Sequence, residues 1–243
     1  MTAGLLYYSD CRLDARITEA VRRQIARCAK GRPIVSVTLK PVAFGENIVL
    51  PLERGQMTMF RQIRAGLEAI QTDIVFFCEH DVVYHPSHFE FVPPRDDVFC
   101  YNFNRWQVST KTGHAAHYRC GQTSGLCASR ALLIEHYEKR LAAIEQAGGY
   151  HRETGYEPGT NRWSLSVDPH GSEHWMSAYP NLDLRHGKNL SKTRWAVSEF
   201  RNKNSCQGWI EAGSVPGWGQ IEGRFDAFLD DVLTGRQERE RHV

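Results

Sequence analysis

The chain has 243 residues, 41% hydrophobic and 24% charged, a profile that excludes a disordered or fibrous protein. A formal charge of +2 is too small to argue by itself for nucleic acid, and no segment approaches the ~20 apolar residues of a membrane-spanning helix. The seven cysteines (Cys11, Cys28, Cys78, Cys100, Cys120, Cys127, Cys206) are scattered, odd in number and without a C-x-x-C; with no basic or long apolar leader at Met1-Thr2-Ala3, they predict reduced thiols in a cytoplasmic protein.

Gly4 to Tyr8 reads as a first strand. Ile17, Val21, Ile25 and Cys28 then recur at helical spacing, and Gly31-Arg32-Pro33 ends that helix. Ile34 to Leu39 is a second strand, and a loop holds Gly45-Glu46-Asn47. Met57, Phe60, Ile63, Leu67 and Ile70 form the stripe of a second helix, from about Gln56 to Ile70. Thr72 to Asp81 follows: Ile74 to Phe77 is a continuous apolar run of the kind covered on both faces, and it ends at Glu79-His80-Asp81. This β-α-β-α-β order predicts an α/β fold with a mainly parallel sheet flanked by helices.

Beyond Asp81, a helix-starting turn is expected at Pro86-Ser87-His88-Phe89, a strand at Val98 to Phe103, and a hairpin over Asn104 to Gln122 turning near Thr112-Gly113. Thr123-Ser124-Gly125 leads into a helix from Arg130 to Gln146, closed by Gly148-Gly149. Tyr150 to Trp175 is expected to be mostly loop, giving a loop-rich C-terminal half. Asn181 to Leu190 reads as a strand delivering His186 to a glycine loop, and Phe225 to Leu233 as a short amphipathic helix. One domain over residues 1–235 is expected, with 1–103 as its nucleotide-binding half, 104–235 completing the metal and acceptor sites, and a charged tail at 236–243.

Glu79 and Asp81 are one residue apart. In an extended segment they share a side, so two hard oxygen ligands would converge at the carboxyl end of a strand. Open α/β sheets bind ligands there, and Glu-x-Asp suits Mg²⁺ or Mn²⁺. The order of elements over Gly4 to His186, with Glu79-His80-Asp81 on the third core strand and Ser124-Gly125 before a helix, resembles the GT-A fold of nucleotide-sugar glycosyltransferases, in particular family-2-like enzymes. The family's motif is usually Asp-x-Asp, and this chain departs from it in Glu79.

The resemblance implies a metal-dependent, hexosyltransferase-like enzyme. It would move a sugar from a nucleotide-diphosphate donor, a UDP-sugar foremost, to an acceptor hydroxyl. It implies that Asp81 ligates the metal, that Glu79 contacts the ribose or a metal-bound water, and that His186 completes the site, a set favouring Mn²⁺ over Mg²⁺. By the same resemblance Tyr8, Ser9, Asp10 and Arg12 hold the base and ribose, with Arg61 and His80 also on the donor. Lys188, Lys192 and Arg194 would neutralise diphosphate charge. Thr38 stands where relatives often carry an acidic residue that reads uracil.

Glu173 lies where inverting members carry the general base, with Asp183 as the second candidate. Ser124, Gly125, Trp175 and Trp218 are the acceptor and sugar candidates, joined by Trp163 in loop-like sequence. Pro216-Gly217-Trp218-Gly219 would suit a mobile flap.

Three other readings compete. His170-x-x-Glu173-His174 fits the H-x-x-E-H pattern of zinc metallopeptidases, although Pro169 and Gly171 disfavour the helix that pattern needs. A nucleotidyltransferase would carry a glycine-rich phosphate loop, which Tyr8-Ser9-Asp10-Cys11-Arg12 lacks. The basic stretch Lys188 to Lys203, interleaved with Trp195 and Phe200, fits a non-catalytic nucleic-acid-binding protein or, on the same fold, a transferase acting on hydroxymethylated DNA bases instead of a glycan.

Overall fold

β1 (Ala3–Ser9) leads into α1 (Ala15–Ala29), whose N-terminus is capped by the Asp14 carboxylate on the Arg16 and Ile17 N–H groups. β2 (Ile34–Thr38) and β3 (Glu46–Val49) follow, then α2 (Gln56–Ala69) and β4 (Ile74–Glu79). The structure is a computed structural model describing residues 1–236; of the expected tail, residues 237–243 lie outside the described residues.

Alternation along the strands decides which helix covers which face. Leu5, Tyr7, Phe76 and Cys78 pack with Ile17, Val21 and Ile25 of α1, whereas Leu6, Tyr8, Val75 and Phe77 pack with Phe60, Ile63 and Leu67 of α2. Gly66 lets α2 lie close on the sheet: a Cβ there would come 2.1 Å from Leu6 Cδ1 and 2.9 Å from Val37 Cγ2.

The second half adds β5 (Val82–Val83), β6 (Phe99–Asn102), β7 (Arg105–Ser109), β8 (Ala115–His117), β9 (Leu126–Ser129) and α3 (Arg130–Gln146). After these come α4 (Arg162–Val167), β10 (Ser172–Trp175), β11 (Asn181–Arg185), β12 (Ile210–Ala212), β13 (Ser214–Val215), β14 (Gly219–Gln220) and α5 (Phe225–Thr234). The main sheet runs β10-β6-β9-β4-β1-β2-β3. Only β9 is antiparallel to its neighbours, so the mainly parallel, helix-flanked sheet expected from the sequence is present. A second sheet runs β12-β8-β7-β11-β5, with β11 antiparallel to β5.

The strand order positions the site. β2 and β3 lie on one side of β1 and β4 on the other, so the loops leaving β1 and β4 diverge and open a crevice at their carboxyl ends.

Two local expectations are corrected, on β3 and on Glu79-x-Asp81, while 150–175 is mostly loop as expected with two short elements in it. β3, four residues long and half polar, forms where a loop was expected, because it pairs in parallel with β2. The stretch 150–175 contains α4, capped by Asn161 on the Ser164 N–H, and the edge strand β10. Glu79 and Asp81 do not continue one alternation: the strand stops at Glu79, and His80-Asp81 form a turn into β5.

β10 also disposes of the metallopeptidase pattern. Its residues are extended rather than helical, so His170 and His174 are not stacked one turn apart. His170 Nδ1 lies 3.0 Å from the Asp97 carbonyl, and the His174 ring stacks on Phe103. No helix among the described residues is long and apolar enough to cross a membrane.

Candidate active site

β1 and β4 end side by side, with Tyr8 in register with Glu79. The turn after β4 and the loop after β11 fold together over this edge, because the Leu184 N–H donates to the Asp81 carbonyl at 2.8 Å. His80, Asp81 and His186 meet there, each offering one ligand atom, all within 4.8 Å of one another. Among the described residues this is the group of His, Cys, Asp and Glu side chains that could hold a metal ion.

His186 Nε2 lies 3.3 Å from Asp81 Oδ2. The Lys188 N–H donates to His186 Nδ1 at 3.2 Å, which orients the ring. Asn189 ties the pair together: its Nδ2 donates to Asp81 Oδ2 at 2.8 Å, and its Oδ1 accepts the His186 N–H at 2.6 Å. His80 Nδ1 sits 2.9 Å from Ser9 Oγ and 3.8 Å from Asp10 Oδ1. Burial pushes the Asp81 carboxyl up, but the His186 hydrogen bond and the charges of His80, His186 and Arg185 outweigh it and hold the group below the usual carboxylate range.

Glu79 is turned elsewhere. The Tyr8 hydroxyl donates to its Oε1 at 2.7 Å. Burial, reinforced by the Asp81 charge, pushes the Glu79 carboxyl up to about 8. Its backbone N–H donates to the Tyr84 hydroxyl at 2.9 Å, which donates in turn to the Ser124 carbonyl at 2.9 Å.

The cleft around this cluster is lined by Tyr8, Ser9, Asp10, Glu79, His80, Asp81, Asp183 and Lys188, all singled out in the sequence. It is also lined by Arg54, Gln62, Asn189 and Glu157, which were not. Arg54 reaches in ahead of α2, donating to Asp10 Oδ2 at 2.5 Å and to the Lys188 carbonyl at 2.6 Å. Lys188 Nζ reaches the Arg12 carbonyl at 2.8 Å, while Arg12 itself is exposed. Gln62 donates to the Ser9 and Val37 carbonyls, pinning the ends of β1 and β2.

Asp183 is committed to packing. Arg105 Nη1 donates to its Oδ2 at 2.7 Å, both side chains 5% exposed or less. Arg185 approaches both oxygens at 3.2 Å.

Other residues singled out in the sequence do not line the cleft. Arg61 lies on the exposed face of α2. Arg194 sits over the Phe200 ring, 4.9 Å from its centroid. Ser124 and Gly125 are buried, and a Cβ on Gly125 would come 3.0 Å from the Asn102 carbonyl. Trp175 stacks on Phe91 with ring centroids 4.0 Å apart, Trp218 is buried with its Nε1 on the Pro180 carbonyl, and the Trp163 ring is covered by Arg140. Glu173 is exposed on β10, 3.8 Å from Arg95 Nη1, and lines a second cavity with Phe103, His174 and Glu157.

Of the residues that sequence reading missed, Asn189 had a local signal: His-Gly-Lys-Asn is turn chemistry, and an Asn there can cap its own turn. Arg54 and Glu157 had none, because only the folded chain brings them to the strand ends.

No family model matches the chain, and no curated protein matches it. Among solved structures, it is similar to a glycosyltransferase involved in glycosylation of the major capsid of PBCV-1, at 11% identity, over 79% of this chain and 95% of that one, with a TM-score of 0.49. It is similar to a Drosophila β-1,4-galactosyltransferase 7 variant in complex with manganese, UDP-Gal and xylobiose, at 12% identity, over 62% of this chain and 63% of that one, with a TM-score of 0.35. A third is apo glycosyltransferase GlyE of Streptococcus pneumoniae TIGR4, at 12% identity, over 71% of this chain and 45% of that one, with a TM-score of 0.38.

Proposed function

We propose that the chain is a metal-dependent glycosyltransferase that takes a sugar from a nucleotide-diphosphate donor, a UDP-sugar foremost. The observation that carries this reading is the His80–Asp81–His186 cluster at the carboxyl ends of β1 and β4. A cation site at the switch point of an open α/β sheet is where a nucleotide's phosphates are held.

The donor set fits a divalent transition ion. Two imidazoles and one carboxylate suit Mn²⁺ better than Mg²⁺, which prefers an all-oxygen shell. When bound, the ion would offset charge on the departing diphosphate. Arg54 and Lys188 add two cations at the same rim. Ser9, which ends β1, and Asp10 line the same cleft and would hold the nucleoside in this reading. In this reading residues 1–103 hold the nucleotide, and 104–235 complete the metal and acceptor sites. Seven scattered cysteines, odd in number and without a C-x-x-C, suit a reducing compartment such as the cytoplasm.

A thermal-shift screen of UDP, GDP, CDP and ADP, with Mn²⁺, Mg²⁺ or EDTA, tests the reading. A ligand at a hundredfold its Kd stabilises by about 2.7 kcal/mol, which on a chain of this size raises Tm by roughly 5–10 °C. The expected result is such a rise with one nucleotide, present with Mn²⁺ and lost in EDTA. No shift with any nucleotide and metal overturns it.

One observation favours a second acceptor class. Lys188 to Lys203 carries Lys188, Lys192, Arg194, Arg201 and Lys203 against Glu199 alone, and Glu199 caps the Trp195 and Ala196 N–H groups. This basic arm begins at the cleft rim, as a surface for modified DNA would. Steeply salt-dependent binding of a DNA duplex would support that acceptor, and its absence removes it.

A further inference from the structure

A second cavity, of about 260 Å³, adjoins the metal cleft, and Glu157 lines both. Its floor is aromatic. The Phe103 and His174 rings stack at 4.5 Å and 13°, beside Tyr101. Gly121 keeps that floor open, since a Cβ there would press within 3.3 Å of the Tyr101 ring. Two carboxylates, Glu157 and Glu173, and the Thr160 and Ser172 hydroxyls line the rest.

The Glu157 carboxylate hydrogen-bonds its own backbone and feels the charges of Arg140 and Arg105, and the segment around it is fixed through its main chain. Residues Glu157-Pro158-Gly159-Thr160 form a turn closed by the Thr160 N–H on the Glu157 carbonyl at 3.3 Å. Pro158 and a left-handed Gly159 (φ 71) suit positions two and three of a type II turn. A Cβ on Gly159 would meet the Gly171 carbonyl carbon at 2.8 Å. Arg140, fully buried, donates to the Tyr156 carbonyl at 2.6 Å, and the Tyr101 hydroxyl donates to the Pro158 carbonyl at 2.8 Å. The carbonyls of the two residues on either side of Glu157 are thus anchored from the core. Among the described residues no side chain hydrogen-bonds the Glu157 carboxylate.

We propose that this second cavity is the acceptor subsite, that it takes an uncharged sugar ring, and that Glu157 accepts the proton of the attacking hydroxyl. The proposal rests on the glycosyltransferase reading above. A flat aromatic floor matches the C–H face of a sugar, and carboxylates and hydroxyls match its O–H groups. Glu157, with Glu173 partly offset by Arg95 at 3.8 Å, disfavours phosphate, sulfate or carboxylate on the ligand.

The acceptor oxygen bonds to the anomeric carbon as its proton passes to the Glu157 carboxylate. The bond from that carbon to the diphosphate oxygen breaks, and its electron pair leaves with the nucleoside diphosphate. One displacement of this kind inverts the anomeric configuration. Burial raises the Glu157 carboxyl, which brings a base closer to working pH.

Saturation-transfer NMR on the metal-free full chain tests the subsite, with methyl glycosides of glucose, galactose, mannose and xylose as probes. Glucose 6-phosphate, glucuronate and a DNA oligonucleotide serve as charged counterparts. At least one neutral glycoside is expected to bind, and the charged probes are not expected to compete with it. Glu173→Gln, an exposed edge-strand change, keeps the melting temperature and weakens that glycoside at least fivefold. Glu157→Gln still binds the glycoside and loses transfer at least a hundredfold.

No glycoside signal, equal competition by a charged probe, or full transfer by Glu157→Gln overturns the proposal. If glycosides bind here but no nucleotide shifts the melting temperature, the transferase reading fails and the sugar subsite stands. If a nucleotide shifts it and no glycoside binds, the subsite alone fails.

Discussion

The Tyr8 hydroxyl donates to Glu79 Oε1 at 2.7 Å, across 71 residues of sequence. This bond turns Glu79 back toward the sheet and leaves His80, not Glu79, beside Asp81 and His186. The Glu-x-Asp spacing therefore names the right turn while the middle residue supplies the nitrogen.

Metal affinity should follow that geometry. Asp81→Asn, His80→Ala and His186→Ala are each expected to weaken Mn²⁺ binding by at least about 10- to 100-fold. Asn189→Ala, which loses the tie between Asp81 and His186, should fall in the 10- to 100-fold range common for groups that orient ligands. Glu79→Gln should change it less than about threefold. Titration calorimetry with Mn²⁺ measures all five, and a Glu79 effect as large as that of His80 would reassign the ligands.

Asp183 is expected to matter for stability rather than proton transfer. Removing one partner of a buried ion pair typically costs about 3–5 kcal/mol. Asp183→Asn should therefore lower Tm by roughly 6–20 °C, because the buried Arg105 guanidinium loses its counter-charge. A variant that melts like the wild type yet has lost its turnover would make Asp183 a catalytic group.

Stability should fall toward acid because of His88. Its ring is fully buried, and burial lowers its pKa from 6.5 to about 3. The unfolded chain takes up this proton below about pH 6.5 and the folded chain does not, so stability present above that pH is lost as pH falls from about 6.5 toward 3. The slope is about 1.4 kcal/mol per pH unit for this one group. Urea denaturation at pH 7, 6, 5 and 4 measures it. In His88→Gln the slope should be shallower by that amount; an unchanged slope would mean that the histidine already carries its proton in the fold.

Gly159→Ala probes the turn that aims Glu157. An L-residue at φ 71 costs about 1–2 kcal/mol, and here the added methyl also meets the Gly171 backbone. Transfer should fall at least tenfold, with a Tm loss of only a few degrees. Wild-type transfer in this variant would mean that the position of Glu157 does not matter.

The sequence by itself determined the elements whose pattern is local. The stripe Phe60, Ile63, Leu67 and the run Ile74 to Phe77 each specify a helix or strand and its buried face, because side-chain periodicity is a property of the segment. It also pointed to the turn after β4, since carboxylates following an apolar strand are visible within ten residues. Tertiary structure decided the rest. The short edge strand β3 forms because β2 offers it a ladder. Glu79 leaves the cluster because of Tyr8, Asp81 is framed by Asn189 from 108 residues away, and Glu157 reaches the cleft on a turn anchored by Arg140 and Tyr101. These partnerships are made between segments that no period relates, so they are set when the sheet closes and the loops meet at its edge.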